Sequence, residues 1–300
     1  MKVRRSVEDR KGVIGASSAA KHLGLSTFGT PYEAYLEYIG QRPEPTEEEK
    51  ERMEMGHDLE DFIAKQAEKR FAVKLRKSNY AYIDPRYPHL LCHPDRLMVQ
   101  ENLGERIAVE IKSNSAFDTR WGNEDTDEIP MDYLVQVLMY FICDVPCDAV
   151  WLIRFSNNKI SRYIIRPNVQ LQAEIAIKLE DIAKKIDSGW IPEASTYEEA
   201  TKLYNVPTDG EIEADLTIKE TVNRLDEVKA EIKGLKSEED ELKKNIISFM
   251  KDRSTLTYQG QTIARYKQII TSKFDSKRFG EEHPDLYTQY LTTSSYMKLS

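Results

Sequence analysis

The stretch RIAVEIKS, residues 106–113, decides the fold, because its pattern is typical of a strand with two different faces. Its isoleucines and its valine alternate with Ala108, Glu110 and Lys112. Successive side chains of a strand point to opposite faces, so Glu110 and Lys112 share one face while the isoleucines and the valine pack on the other. The sequence therefore predicts a strand that is buried on one face and carries an acid and a base on the other.

A second carboxylate, that of Asp95, lies fifteen residues before Glu110. Asp95 lies in LLCHPDRLMVQ, residues 90–100, which we predict to be a strand together with YAYIDP, residues 80–85. Two carboxylates on neighbouring strands, followed by a lysine, suit phosphodiester hydrolysis assisted by Mg²⁺, a hard cation that prefers oxygen ligands. The alternative is an exposed sheet edge with a Glu/Lys pair, and these residues alone do not decide between the two.

Two predicted helices carry polar residues that could join the same site. Glu60 lies on a helix predicted from about Arg52 to Phe71, after a polar loop over residues 41–54. Gln136 lies on an otherwise apolar helix predicted from Pro130 to Cys143. A polar group on such a face must find a partner or serve a site, and both alternatives stay open for it.

The rest of the chain divides near residue 192. Residues 1–192 are predicted to form one domain, with helices in the first 40 residues and further strands and helices after them. Residues 193–300 form an extension with a long helix from Ile218, whose 3–4 apolar repeat is interrupted only by Glu239. That helix forms a coiled-coil-like seam or packs back on its own domain. The other predicted elements are a helix starting at Thr30-Pro31, strands at 149–155 and 159–166, a helix at 169–188 and a hairpin turning at Gln259-Gly260.

Composition excludes several classes of protein. The 300 residues are 40% hydrophobic and 31% charged, a composition that folds, and no apolar run approaches the roughly 20 residues that span a bilayer. The N-terminus has no secretory signal and the three cysteines fit buried thiols in a reducing cytosol. The net charge of −8 argues weakly against non-specific DNA binding, although residues 61–80 carry six basic and two acidic side chains.

Five motifs in order resemble the YqaJ-type viral recombinases, which belong with phage lambda exonuclease in the PD-(D/E)xK nuclease superfamily. The resemblance covers about residues 10–190, and the C-terminal extension is also similar to that of many members. It implies an α/β (α+β) fold in which a central mixed sheet is flanked by helices. The motifs are Arg10-x-Gly12-x-Ile14-Gly15-Ala16-Ser17, Gly56-x-x-x-Glu60, His93-Pro94-Asp95, Glu110-Ile111-Lys112 and Tyr133-x-x-Gln136.

The resemblance also implies roles for individual residues. Asp95, Glu110 and the backbone carbonyl of Ile111 would hold Mg²⁺, for which Mn²⁺ can substitute, and Glu60 would reach a second metal ion or its water. Lys112 would position the attacking water. The terminal 5′-phosphate would be held by Arg10, Ser17 and Gln136. His93 stands where lambda exonuclease has a serine, so no role is assigned to it.

The implied activity is 5′ to 3′ digestion of linear duplex DNA, which leaves a 3′ single strand for phage-type recombination. The implied partners are DNA ends, a single-strand annealing protein and two further copies of the chain in a ring-shaped trimer. Two alternatives stay open: an endonuclease of the restriction or defence type, and a non-enzymatic DNA-end-binding or assembly module acting through the C-terminal helix. Relatives with an iron–sulfur cluster need four cysteines, and this chain has three.

Overall fold

The computed structural model describes residues 2–3, 11–99, 104–114, 118–205 and 210–292. The chain divides into two compact units, Met1–Tyr204 and Asn205–Ser300, so the first unit extends past the predicted boundary at residue 192. The additional segment holds a short helix, Tyr197–Leu203, whose buried Glu199 accepts hydrogen bonds from Thr30 and from the backbone of Ser195. The bond from Thr30 attaches the segment to the rest of the first unit.

A five-stranded mixed sheet forms the centre of the first unit. Its strand order is β3-β6-β7-β8-β9; β7 and β8 are parallel and the other neighbours are antiparallel. Four shorter strands pair outside it, β1 with β4 and β2 with β5. The strands are β1 Lys2–Val3, β2 Ile14–Gly15, β3 Lys74–Lys77, β4 Ala81–Tyr82, β5 Leu90–Leu91, β6 Arg96–Val99, β7 Ile107–Ser113, β8 Ala149–Ser156 and β9 Lys159–Ile165.

Helices cover both faces of this sheet. The helices of the first unit are α1 Ala16–His22, α2 Pro31–Tyr38, α3 Glu47–Phe71, α4 Met131–Ile142, α5 Val169–Asp187 and α6 Tyr197–Leu203. On one face, β7 and β8 pack against α3; on the other, they pack in one continuous core with α1, α4 and α5. The predicted architecture, a central mixed sheet flanked by helices, is confirmed.

The two faces of β7 are as the alternation predicts. Val109 and Ile111 belong to the core beneath α3, whereas Ala108 belongs to the core beneath α4. Glu110, which alternates with them, therefore points towards α4. The buried apolar residues fix which way the acid and the base face, because a slip of one residue would turn every side chain of the strand to the opposite face.

Three local predictions were wrong, each for a physical reason. Helix α3 begins at Glu47 rather than near Arg52, because Thr46 and Glu49 form a capping box that the acidic stretch conceals. The single strand predicted over residues 90–100 is replaced, within residues 90–99, by two strands, β5 and β6, since Pro94 interrupts the ladder between them. Ile14–Gly15 is a strand and not helix, because it pairs with the distant β5.

The second unit contains the long helix and the hairpin. Its elements are α7 Leu216–Met250, β10 Thr255–Tyr258, β11 Gln261–Arg265, α8 Ser276–Glu282 and α9 Pro284–Tyr290. Gln259 and Gly260 join β10 to β11 with positive φ angles of 50° and 79°, which confirms the predicted turn. None of the helices in the described ranges is both long and apolar enough to cross a bilayer.

The end of α3 provides a test of backbone strain. Ala72 caps the helix in the left-handed region, with φ 52° and ψ 45°, a conformation that glycine adopts without a steric penalty. We expect Ala72→Gly to raise the free energy of unfolding by about 1 kcal/mol, measured by urea denaturation. The matched control is Ala173→Gly, at an exposed right-handed position of α5, which should lower it by about 1 kcal/mol. Equal effects of the two changes would contradict the assignment of strain to Ala72.

Candidate active site

A cleft at one end of the sheet brings together the residues that the sequence singled out. Asp95, Glu110 and Lys112 line it together with the backbone of Ile111, and Glu60 of α3 lines it from the side. Asp95 directly precedes β6, and Arg96 pairs with Val109 in the antiparallel ladder, so Asp95 stands beside Glu110. Three segments far apart in the sequence thus meet at one point.

Asp95 is held in place by the strand that it faces. Its Oδ2 accepts a hydrogen bond of 2.8 Å from the backbone N–H of Ile111. Burial, and then the negative charge of Glu110, raise the pKa of Asp95 well above its usual range, while Lys112 acts in the opposite direction. Two neighbouring carboxylates that are partly withdrawn from water repel each other, so this arrangement favours a cation.

Glu110 is almost fully buried, with 3% of its surface exposed, and three side chains satisfy it. Gln136 Nε2 donates to Glu110 Oε1 over 2.5 Å, Lys112 Nζ lies 2.6 Å from the same oxygen, and the hydroxyl of Tyr140 donates to Oε2. A buried carboxylate without such donors would be strongly destabilising. The position of the Glu110 carboxylate is therefore fixed on both oxygens.

One face of α4 is built for this site. Tyr133, Gln136 and Tyr140 are spaced by three and four residues, so they lie on the same side of the helix. The ring of Tyr133 lies 5.5 Å from Lys112 Nζ, close enough for a cation–π contact, while Gln136 and Tyr140 bond Glu110. This geometry gives a physical reason for the spacing Tyr133-x-x-Gln136.

Lys112 remains a cation in this environment. Burial disfavours its charge, but the attraction of Glu110 and Asp95 outweighs burial and raises the pKa of Lys112. The pKa of Tyr140 is raised well above 10, first by burial and then by the charge of Glu110. At neutral pH Tyr140 is thus a neutral donor and Lys112 a charged one.

Glu60 contacts a partner that the sequence analysis missed. Arg96 Nη1 donates to Glu60 Oε1 and to the backbone oxygen of Asp95, and its Nη2 donates to Asp61. Arg96 is 3% exposed, which makes it a buried tie between β6 and α3. The sequence contains a signal for this contact. Arg96 is a charged residue on a predicted strand, and the preceding helix carries the acidic pair Glu60-Asp61. If it is buried, such a charge requires a partner.

Of the residues predicted to bind the 5′-phosphate, the two that the structure describes do not line the cleft. Arg10 lies outside the described residues. Ser17 is exposed in the first turn of α1, and neither Ser17 nor Gln136 is among the described residues that line the cleft. Gln136 instead contacts Glu110, so in this structure it supports the carboxylate. The sequence also missed Tyr140, whose hydroxyl on a buried helix face required a polar partner.

The donor set fits a hard divalent cation. Within the described ranges, no three His, Cys, Asp or Glu side chains converge closely enough to hold a metal ion by themselves. Mg²⁺ does not require three, because it is commonly bound by one or two carboxylates with waters and substrate oxygens. Asp95 and Glu110, which line the cleft with Ile111, have carboxylate oxygens of the kind that could hold such an ion. The three cysteines are buried and free, as predicted.

Comparison with known proteins identifies the family. The family model of the YqaJ-like viral recombinase domain matches residues 7–144. The chain is 31% identical over 290 residues to the uncharacterized protein YqaJ of Bacillus subtilis (strain 168), covering 94% of this chain and 88% of that protein. The chain belongs to the YqaJ-like viral recombinase family.

Two solved structures are also similar. One is an alkaline exonuclease from Laribacter hongkongensis, at 14% identity and a TM-score of 0.47, covering 60% of this chain and 90% of that one. The other is the same exonuclease in complex with dAMP, at 14% identity and a TM-score of 0.48, covering 61% of this chain and 91% of that one.

The buried hydrogen bonds of Arg96 predict a large loss of stability when its side chain is replaced. We expect Arg96→Met to lower the free energy of unfolding by about 2 to 3 kcal/mol, because Glu60 and the backbone oxygen of Asp95 lose their donor. The matched control is Arg106→Met, which removes an exposed ion pair with Asp148 and should cost much less. Urea denaturation of both variants measures the difference, and similar losses would show that Arg96 is no more than a surface charge.

Proposed function

We propose that the protein is a Mg²⁺-dependent exonuclease that digests linear double-stranded DNA from 5′ to 3′. The observation that carries the proposal is the convergence of Asp95, Glu110 and Lys112 in one cleft, with Lys112 Nζ 2.6 Å from Glu110. Membership of a viral recombinase family supports DNA as the substrate. An exposed Glu/Lys pair at a sheet edge would not require a neighbouring aspartate, three donors to one glutamate and an open cleft.

The metal ion would be held by Asp95, Glu110 and the backbone carbonyl of Ile111, and Mn²⁺ can take the place of Mg²⁺. When bound, it would neutralise charge on the scissile phosphate and acidify a water molecule. The fixed position of Glu110 serves this role, because Gln136 and Tyr140 prevent the carboxylate from turning away. Glu60, oriented by Arg96, is the candidate for a second metal ion or its water.

Lys112 acts on the attacking water and on the phosphate. Its ammonium group carries donors that can orient the water towards phosphorus and stabilise negative charge as it develops there. The carboxylates of Glu110 and Asp95 keep Lys112 charged, and the ring of Tyr133 limits where its ammonium group can lie. The assignment of Lys112 as a catalytic residue follows from its place beside both carboxylates.

Binding of a 5′ end would distinguish an exonuclease from an endonuclease with the same metal site. Arg10, Ser17 and Gln136 are the proposed phosphate ligands, one charged and two neutral donors. Helix α1, which carries Ser17, packs in the same core as α4, which carries Gln136. The duplex end would thus be held beside the cleft, and a 3′ single strand would remain for a single-strand annealing protein in the cytosol of a phage-infected or prophage-bearing bacterium.

End-labelled DNA tests polarity and substrate. We expect a linear duplex with a 5′-phosphate to lose its 5′ label first, and a duplex with a 5′-hydroxyl to be digested more slowly. A closed circle should stay intact, and chelation of the metal with EDTA should stop the reaction. Cutting of the circle would indicate an endonuclease, earlier loss of the 3′ label would reverse the polarity, and binding without cleavage would indicate a DNA-end-binding module.

Substitution of Lys112 tests the assigned chemistry. We expect Lys112→Ala to slow cleavage by a factor of about 10² to 10⁴, the usual contribution of a positioned proton-transfer group, while DNA ends are still bound. Cleavage is measured on the linear duplex and binding by fluorescence anisotropy of a labelled end. The matched control is Lys178→Ala, which removes the same charge from an exposed position of α5. Turnover by Lys112→Ala at the rate of the control would rule out the role given to Lys112.

A further inference from the structure

The chain reverses direction directly after α7, and the turn contains a strained residue. Met250 ends the helix, and its carbonyl oxygen accepts a hydrogen bond of 2.9 Å from the backbone N–H of Arg253. Between them Lys251 has φ 54° and ψ −112°, the conformation of the first central position of a type II′ turn. Glycine is favoured there, because a Cβ atom makes a positive φ unfavourable. A lysine at this position lowers stability, and such local strain often marks a functional residue.

The hairpin brings a second stretch of chain back to this turn. The ladder between β10 and β11 continues beyond both strands, since the backbone N–H of Tyr266 donates to the carbonyl oxygen of Ser254 over 2.9 Å. Residues 251–254 and 266–268 therefore lie side by side and enclose a cleft of about 380 Å³, which we call the cationic cleft. The charged and aromatic side chains among its described lining residues are Lys251, Asp252, Arg253, Tyr266 and Lys267.

Positive charge in the cationic cleft is not neutralised by neighbouring acids. Among the residues that the structure describes, no carboxylate lies within ion-pair distance of Lys251 or Lys267. Asp252 lies 3.5 Å from Arg253, but both side chains are 81% exposed, and exposed pairs of this kind contribute little. Residues 251–273 contain five basic residues and one acidic residue, in a chain whose net charge is −8. The cleft therefore offers cations to the phosphates of a polyanion, whose counterions are released on binding.

An exposed aromatic ring lies among these cations. Tyr266 is 52% exposed where it lines the cationic cleft, and Tyr258, beside the hairpin turn, is 65% exposed. Proteins hold single-stranded nucleic acids by this combination, because cations contact the phosphates while successive bases stack on aromatic rings. A duplex has its base faces stacked within the helix, so it cannot use the rings. The composition of the cleft therefore favours a single strand.

We propose that the cationic cleft binds single-stranded DNA, with its three basic side chains on the phosphates and Tyr266 stacked against a base. The cleft lies in the second unit and shares no described lining residue with the candidate active site. Binding therefore requires neither the metal ion nor cleavage. The 3′ strand left by digestion of a duplex is single-stranded DNA of this kind, and naming it as the natural ligand rests on the proposed function.

Fluorescence anisotropy measures this binding without cleavage. The probe is a labelled oligothymidine of about 16 nucleotides, the upper end of the usual site size, and the full-length protein is kept in EDTA. We expect binding that weakens as the salt concentration rises. Lys251→Gln/Lys267→Gln should reduce the magnitude of the slope of log affinity against log salt concentration by about 1.4, since each lost phosphate contact removes about 0.7.

The matched control is Lys243→Gln/Lys244→Gln, which makes the same change of charge in α7. There the two lysines already pair with Glu239 and Glu241. This control should keep the wild-type slope, and the same slope in both double variants would overturn the proposal. A wild-type protein that does not bind the oligonucleotide would also overturn it. Because these measurements are made in EDTA, a failure of the proposed nuclease activity does not alter them.

Replacement of Tyr266 tests the preference for a single strand. We expect Tyr266→Ala to weaken binding of the oligothymidine about 5- to 100-fold, the usual effect of losing one stacked base, whereas Tyr266→Phe keeps the ring and should bind as the wild type does. The matched control is Tyr197→Ala, which removes an exposed tyrosine from α6. A blunt duplex of the same length should be bound equally by Tyr266→Ala and the wild type. Equal losses for duplex and single strand would refute the preference.

The strain at Lys251 separates a binding role from a structural one. We expect Lys251→Gly to slow amide hydrogen exchange in β10 and β11, because glycine adopts this turn without strain, and to reduce the salt slope of binding by about 0.7. A lysine that only offset the dipole of α7 would stabilise the second unit, so its removal would speed exchange and leave binding unchanged. Unchanged binding by Lys251→Gly, whichever way exchange moves, would contradict the proposal.

Discussion

The first unit depends on one buried negative charge, the carboxylate of Glu110. Burial of a carboxylate is so unfavourable that it must be matched by donors, and here Tyr140, Gln136 and Lys112 provide them. These contacts join the central strand β7 to the helix α4, which follows it in sequence. The same contacts fix both oxygens of the carboxylate, so the requirement for stability and the geometry of the cleft have a single origin.

The opposite face of the sheet is tied by a buried positive charge. Arg96 joins the strand beside β7 to α3 through Glu60 and Asp61. Since Asp95 and Arg96 are consecutive in the chain, their side chains leave the backbone towards opposite faces. Asp95 therefore lines the cleft, and Arg96 contacts α3. The acid of α3 that lines the cleft is held by the same arginine, which couples the placement of α3 to the site.

The two units differ in how far their apolar side chains are buried. In the first, both faces of the sheet are covered by its own helices, and residues such as Leu152 and Leu179 are fully buried. In the second, Ile232, Leu235 and Leu242 of α7 are each more than half exposed. The overall charge of −8 is an average over these separate surfaces.

Most of the elements, and the faces that they present, follow from local sequence. The alternation around Glu110, the capping box at Thr30 and the turn at Gln259-Gly260 all depend on neighbours in the chain, so they could be identified without the fold. Tertiary structure alone decided which polar groups meet. The sequence identifies Tyr140 only as part of an apolar helix face and gives no role to Arg96, because their partners lie 30 and 36 residues away. Burial forces each of these groups to find a partner, but only the packing of helices on the sheet selects which one it finds.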